Sequence, residues 1–266
     1  MEQETIKVCV TGAAGRVGRA IIAGINDAPG TELVGAVDLC ETGRDAGVVA
    51  GIGDIGIAIS GSLDEALAEG RPDVVVDFTL AGVVPGYIRA ALSAGCHVVV
   101  GTTGLTAEDL DNIERETRSS GRNVIIAPNF SLGALLMIEL SRLAARHFST
   151  VEIIERHHDG KQDSPSGTAL RTAAMLAETM TMKSGRERLD GDGRGHDVAG
   201  VKVHAVRLPG LCAHQEVVFG GAGETLTIRH DTIGRECYVS GVLLAVKKVA
   251  SLPGLTVGME KILFPE

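Results

Sequence analysis

The chain has 266 residues, a net charge of −9, 44% apolar residues, only 3% aromatic residues and no Trp. It is long enough for one large domain or two modest ones with a sizeable core. The acidic balance and scarce aromatics argue against a nucleic-acid partner or an anionic membrane surface.

The 35 glycines suit an α/β fold rich in tight turns rather than a helical bundle. Cys9, Cys40, Cys96, Cys212 and Cys237 are scattered and form no CxxC pair, which reads as reduced thiols in a cytoplasm. No apolar run approaches membrane-spanning length, and the Met-Glu-Gln-Glu start lacks the basic and apolar parts of a signal peptide. The expectation is a cytoplasmic protein with no membrane partner.

Ile6 to Thr11 is a short β-rich run that enters Gly12-Ala13-Ala14-Gly15-Arg16-Val17-Gly18. An apolar-periodic helix follows to about Ile25, and then a second strand, Glu32 to Asp38. Asp38 follows Gly18 at about the 20-residue spacing of an acid that binds an adenosine ribose. The glycine pattern is GxxGxxG rather than GxGxxG, and glycine triplets alone often mark only a tight βα turn. With both strands and the acid in place, the stretch reads as a dinucleotide site whose pyrophosphate sits on the helix start.

Gly43 to Gly61 reads as loop with little regular structure, and Asp64 to Ala68 as a short helix. Asp73 to Thr79 and His97 to Val100 are apolar runs expected as buried strands, the second leading into Gly101-Thr102-Thr103. Val83 to Ala94 is helical between them. Thr106 opens a helix with Glu108 and Asp109 in its first turn, running to about Ser120. Asn123 to Ala127 is the next strand, followed by Pro128-Asn129-Phe130. Alternating strands and helices predict a Rossmann-like, doubly wound parallel sheet. Ligands on such sheets sit at the carboxyl ends of the strands, here Gly12, Asp38, Phe78-Thr79, Gly101 to Thr103 and Ala127 to Phe130. For Thr102 and Thr103 a loop with merely exposed hydroxyls is an equal reading.

The pattern then changes. Leu132 to His147 is a long amphipathic helix, and Val151 to Arg156 a strand feeding Glu155-Arg-His157-His158-Asp-Gly-Lys161-Gln-Asp163-Ser-Pro-Ser166-Gly167-Thr168-Ala169. An apolar-periodic helix, Leu170 to Met180, follows, so Ser166, Gly167 and Thr168 fall at its start. Two imidazoles, an ammonium and the anion-favouring end of a helix thus lie within a few residues. This suits an acidic small molecule that must also exchange a proton.

Each residue has a plainer reading. A lone His is more often structural, any Lys is usually solvated, and Ser166 or Thr168 can simply cap the helix. Two adjacent histidines supply too few ligands for a metal. Asp163 can brace Lys161 or a histidine. Met182 to Gly200 is polar and glycine-rich, a plausible exposed loop or lid. Val201–Val206, His214–Phe219 and Glu224–His230 read as strands of an antiparallel or mixed sheet whose open face suits a symmetry mate. Arg235 to Val249 is helical, with Arg235 a substrate contact or only an early helix residue. The tail through Ile262 and Leu263 reads as a short strand returning to the first domain.

The chain resembles the 4-hydroxy-tetrahydrodipicolinate reductases, also called dihydrodipicolinate reductases, nearly end to end. The carriers are VTGAAGRVG up to Gly18, VVDFT at Val75–Thr79, VGTTG at Val100–Gly104, APNFSLG at Ala127–Gly133 and, most specifically, ERHHDGKQDSPSGTA.

The resemblance implies a dinucleotide-binding domain over residues 1–129 and 240–266. It also implies an α+β substrate-binding and oligomerisation domain over 130–239 whose sheet builds a homotetramer. It implies hydride transfer from NADH or NADPH to a small cyclic dicarboxylate in lysine biosynthesis, with no metal. His157 and Lys161 match the proton-handling residues, His158 a substrate contact, and Gly167 and Thr168, after Ser166, the donors to a substrate carboxylate. Gly12, Ala13, Ala14, Gly15, Arg16, Val17, Asp38, Gly101, Thr102, Thr103, Ala127, Pro128, Asn129 and Phe130 match the cofactor contacts. Leu39 follows Asp38 where some members carry an arginine, which favours NADH over NADPH. Which of His157 and Lys161 gives up the proton stays open. The rival readings are another two-domain Rossmann oxidoreductase and a non-catalytic NAD(P)-binding protein.

Overall fold

A computed structural model of the chain describes residues 5–180 and 193–265. The chain divides into two units: Met1–Leu132 with Arg235–Glu266, and Gly133–Gly234.

In chain order the first unit contains β1 (Ile6–Thr11), α1 (Arg16–Asp27), β2 (Thr31–Val37), α2 (Ala46–Ala50), β3 (Ile59–Ser60), α3 (Leu63–Gly70) and β4 (Val74–Asp77). It continues with α4 (Val84–Ser93), β5 (His97–Val100), α5 (Ala107–Ser120) and β6 (Val124–Ile126). Every residue of β4, β5 and β6 is buried. That is why these strands read as unbroken Val and Ile runs rather than alternating ones. Helix ends follow local chemistry. Thr106 and Asp109 form a capping box at α5, and Gly121 closes that helix in the left-handed region.

The second unit contains α6 (Leu132–Ala144), β7 (Thr150–His157), α7 (Gly167–Thr179), β8 (His196–Val198), β9 (Val201–Arg207), β10 (Ala213–Gly221) and β11 (Glu224–Thr232). Its sheet has the order β11-β10-β7-β9-β8. Strands β7 and β9 run parallel and the other pairs antiparallel, so the sheet is mixed. Val151 and Ile153 of β7, Val203 of β9 and Val217 and Phe219 of β10 form one core with Ala169, Ala173 and Leu176 of α7. Strand β11 is exposed over most of its length.

The chain then returns to the first unit. A 3₁₀ turn at Arg235–Tyr238 leads into α8 (Val239–Lys248). Strand β12 (Leu255–Val257) and α9 (Glu260–Leu263) follow. The first sheet has the order β12-β6-β5-β4-β1-β2-β3, and every pair in it is parallel.

Three expectations change. The returning strand is Leu255–Val257; Ile262 and Leu263 are helical, because Gly258 (φ +88°) turns the chain as its amide bonds to Ile126 O. The 43–61 stretch is not structureless: Asp45 caps α2, also accepts the amides of Ile55 and Ile57, and β3 follows. The helical stretch expected over Arg235–Val249 is present, as a 3₁₀ turn leading into α8. Of the loop expected at Met182–Gly200, residues 181–192 lie outside the described ones, and His196–Val198 is a strand paired with β9.

Candidate functional site

The carboxyl ends of β1, β4 and β5 form a crevice in the first unit. Gly12 has φ +76°, and a Cβ there would lie 2.5 Å from Phe78 O. A Cβ at Gly18 would lie 2.0 Å from Gly12 O. The loop can therefore fold tightly against the α1 start only with glycine at both places. The N-cap of α1 is Gly15, which offers no side-chain acceptor, and no acidic residue stands in the first turn. The first-turn amides remain available to an anion.

Asp38, half-buried at the end of β2, accepts the amides of Ala14 (2.9 Å) and Cys40 (2.9 Å). A cleft of about 430 Å³ opens beside this loop, lined among others by Gly15, Arg16, Val17, Gly101, Thr102, Thr103 and Arg235. Asp38, Gly12 to Ala14 and Ala127 to Phe130 lie outside that lining. Ala127 and Phe130 are buried, with the Phe130 ring edge-on to Phe78 at 6.0 Å, while Pro128 is exposed and Asn129 accepts the Ser131 amide.

A buried carboxylate that sequence reasoning passed over organises this crevice. Asp77, at the end of β4, accepts the hydroxyls of Thr11 (2.5 Å), Thr79 (2.8 Å) and Thr102 (2.8 Å). It thereby ties together the ends of β1, β4 and β5. Thr102 is buried with its hydroxyl turned to Asp77, whereas Thr103 is exposed. What Thr102 offers a ligand is its backbone.

In the second unit β7 delivers His157 and α7 delivers its N-terminus. Between them the loop carries His158, Lys161 and Asp163. Ser166 caps α7, its hydroxyl accepting the Ala169 amide (3.2 Å), so Gly167 and Thr168 form the first turn. Lys161 Nζ lies 2.6 Å from Asp163 Oδ1. The Lys161 hydrogen bond, with help from the Gly167 amide, holds the Asp163 carboxyl below the usual carboxylate range. Of the donors expected for a substrate carboxylate, the Gly167 amide thus already reaches a carboxylate of the chain itself.

His157 Nδ1 lies 2.6 Å from Glu155 Oε2. Glu155 is completely buried and also accepts both terminal nitrogens of Arg207 (2.8 Å each) and the Ser166 amide (3.0 Å). Burial opposes ionisation of Glu155. The bonds from Arg207, His157 and Ser166 overcome it and keep the carboxyl below its ordinary range. An ionised Glu155 can only accept, so His157 Nδ1 carries the hydrogen and Nε2 presents a lone pair when the ring is neutral. Burial, with Lys161 and Arg207 nearby, pushes the His157 imidazole below its ordinary value against the pull of Glu155.

Arg207 was invisible as a site residue in the sequence; it reaches Glu155 and the Asp163 carbonyl (2.7 Å) from β9. Glu155 did carry a signal. It follows Val151 and Ile153 on the buried face of β7, a charge where the alternation calls for an apolar side chain. Among the described residues no group of three His, Cys, Asp or Glu could hold a metal ion, and no helix is long and apolar enough to cross a membrane.

Two family models match the chain. One, described as dihydrodipicolinate reductase, N-terminus, covers residues 6–130; the other, dihydrodipicolinate reductase, C-terminus, covers 133–263. The chain belongs to the dihydrodipicolinate reductase family. It is an enzyme of the reductase class. The chain is 46% identical over 263 residues to the 4-hydroxy-tetrahydrodipicolinate reductase of Moorella thermoacetica, covering 97% of this chain and 98% of that one. It is 44% identical over 267 residues to that of Thermosynechococcus vestitus, covering 97% of each. A dipicolinate-bound dihydrodipicolinate reductase from Paenisporosarcina sp. TG-14 superposes with a TM-score of 0.84 at 34% identity, over 97% of this chain and 99% of that one. An inositol dehydrogenase of Lactobacillus casei reaches 0.62 at 14% identity, which shows the shared fold alone.

Proposed function

We propose that the chain reduces 4-hydroxy-tetrahydrodipicolinate to tetrahydrodipicolinate in the diaminopimelate route of lysine biosynthesis. The observation that carries this is the Lys161–Asp163–Gly167 arrangement beside the Glu155-held His157, within the stretch matching the family's C-terminal model. It offers a carboxylate a cation and a helix start, and a proton-handling group stands next to it. A relative solved with dipicolinate, a planar pyridine dicarboxylate, points to the same ligand class.

The glycine-lined start of α1, its uncapped amides and Asp38 fit a dinucleotide. Gly12 to Val17, Asp38, Gly101 to Thr103 and Ala127 to Phe130 would hold it, largely through backbone. A nicotinamide held there would supply the hydride that C4 of the substrate ring needs once the 4-hydroxyl has left as water. The chain's own residues do the rest. Gly167 and Thr168, with the Ser166 cap, hold one substrate carboxylate and His158 helps position the ring. Lys161 gives a proton to C3 of the enamine. Neutral His157, with its hydrogen committed to Glu155, can take at Nε2 the C3 proton lost as the 4-hydroxyl departs and pass it to that hydroxyl to make the water.

NADH is the preferred cofactor. Asp38 disfavours a 2′-phosphate, Leu39 is exposed and uncharged, and Arg44 is paired with Glu41. The exposed β11 of the second unit supports a homotetramer, and the scattered thiols a cytoplasmic setting. The test is oxidation of NADH and NADPH by the purified chain with freshly generated substrate. Substrate-dependent oxidation with a higher kcat/KM for NADH is expected. No oxidation with either cofactor overturns the reading, and a clearly higher value for NADPH overturns the preference.

A further inference from the structure

We infer that Glu155 is a positioning residue whose single buried carboxylate sets both the tautomer of His157 and the place of the α7 start relative to it. This rests on the proposed proton role of His157. Glu155 Oε2 meets His157 Nδ1 at 2.6 Å, and Oε1 meets the Ser166 amide at 3.0 Å. Those two contacts join the proton-handling ring to the cap of the helix that faces the carboxylate.

Arg207 spans both oxygens at 2.8 Å and fixes the plane of the carboxylate, so neither contact can swing independently of the other. The same guanidinium reaches the Asp163 carbonyl, tying the Lys161 loop to the same fork. No solvent reaches Glu155. Its geometry is therefore set by these partners alone. A carboxylate, an imidazole and a guanidinium interlocked in this way orient a ring more firmly than a water-exposed pair.

The arrangement also explains why an acid stands in the core of this sheet. Leu or Val at 155 would pack against α7 as Val151 and Ile153 do. It would leave the half-buried Arg207 without a counter-charge, the Ser166 amide without an acceptor and His157 free to choose its tautomer.

The groups that face His157 are Glu155 on its own strand, Lys161 on the following loop and Arg207 on β9. Glu155 alone among them favours the imidazolium. Its neutral isostere should therefore drop the ring's titration to lower pH and, with one of the two acceptor oxygens replaced by an NH2 donor, weaken the preference for the Nδ1–H tautomer.

The decisive measurement is nitrogen NMR of ¹⁵N-histidine-labelled protein, wild type and Glu155→Gln, alongside kcat and KM across pH. In the wild type at neutral pH, His157 is expected to show a protonated Nδ1 and a bare Nε2. In Glu155→Gln the preference for that tautomer weakens, kcat falls about 100-fold and the His157 titration moves to lower pH. A wild-type ring protonated at Nε2 overturns the inference without any variant. A folded Glu155→Gln with unchanged kcat and unchanged titration overturns it as well. Should Glu155→Gln fail to fold, Arg207→Lys takes its place. That variant keeps a cation against Glu155 and is expected to retain the wild-type tautomer with a smaller loss of kcat; loss of the tautomer there overturns the inference. The NMR arm needs no substrate. If the chain proves inactive on 4-hydroxy-tetrahydrodipicolinate while His157 keeps the stated tautomer, the functional reading fails and the positioning role stands.

Discussion

Asp77 and Glu155 are both buried carboxylates near the carboxyl end of a strand, one in each unit, and they are held in opposite ways. Asp77 is surrounded by threonine hydroxyls from the ends of three neighbouring strands. Its partners are neutral groups that do not titrate in the working range, so it serves as a fixed tie beneath a binding crevice. Glu155 is surrounded by a guanidinium, an imidazole and a helix-start amide. Its partners are charged or titratable groups and a helix-start amide, which the proposed chemistry would use. On the proposed function, the first unit would hold a ligand with backbone on a rigid frame, whereas the second unit would handle protons with coupled side chains.

That division can be tested by breaking each side separately. The largest effect is expected from Lys161→Ala, which should lower kcat by about 10²–10⁴-fold. Cofactor affinity, followed by fluorescence titration, and the melting temperature should stay near wild type, because the Lys161–Asp163 pair is partly exposed. A parallel loss of cofactor binding would erase the division between the units.

Asp77→Ala should do the reverse. It orphans the buried hydroxyls of Thr11 and Thr102, at a cost of about 1–3 kcal/mol per unsatisfied group, and it weakens cofactor binding as the strand ends loosen. The nitrogen spectrum of His157 should not move. A change there would show the two carboxylates to be one network.

The smallest effect is a pH dependence. The folded-state pKa of Glu155 lies below its unfolded value, so the unfolded chain binds that proton more tightly. The stabilisation is present in full above the ordinary carboxylate range and is lost as pH falls through the depressed folded value. Amide exchange in the first turn of α7 should accelerate over that acid window. Exchange that stays flat would mean that the Ser166 contact contributes nothing to the helix start.

The same contrast explains what could be read from the sequence. The parallel sheet was legible because its evidence is local: unbroken apolar runs at 74–77 and 97–100, a glycine turn, and helices with visible caps. The α7 start was legible for the same reason, since Pro165 and Ser166 precede a periodic run. Strand β8 was not, because His196-Asp197-Val198 is short, polar and stabilised only by pairing with β9. The returning strand was misplaced by a few residues because Leu255-Thr-Val257 acquires its identity from β6. In the site, the residues of one continuous stretch could be listed but not connected. Arg207 lies 52 positions from Glu155 and announces nothing by itself. Asp77 looked like the end of an apolar run because its three hydroxyl partners converge only in the folded sheet.

The pairing of β7 with β9 places Arg207 opposite His157 and Ala205 opposite Glu155. Side chains alternate faces along a strand, so a slip of one residue in β9 would send Arg207 to the far side of the sheet. Glu155 would then lie in the core with no guanidinium, and the ring and the helix start would lose their common anchor together. The cluster thus acts as a checksum on strand assembly. Molecules with the wrong register should lose at least as much activity as Glu155→Gln does. The activity of a preparation would then count its correctly assembled sheets.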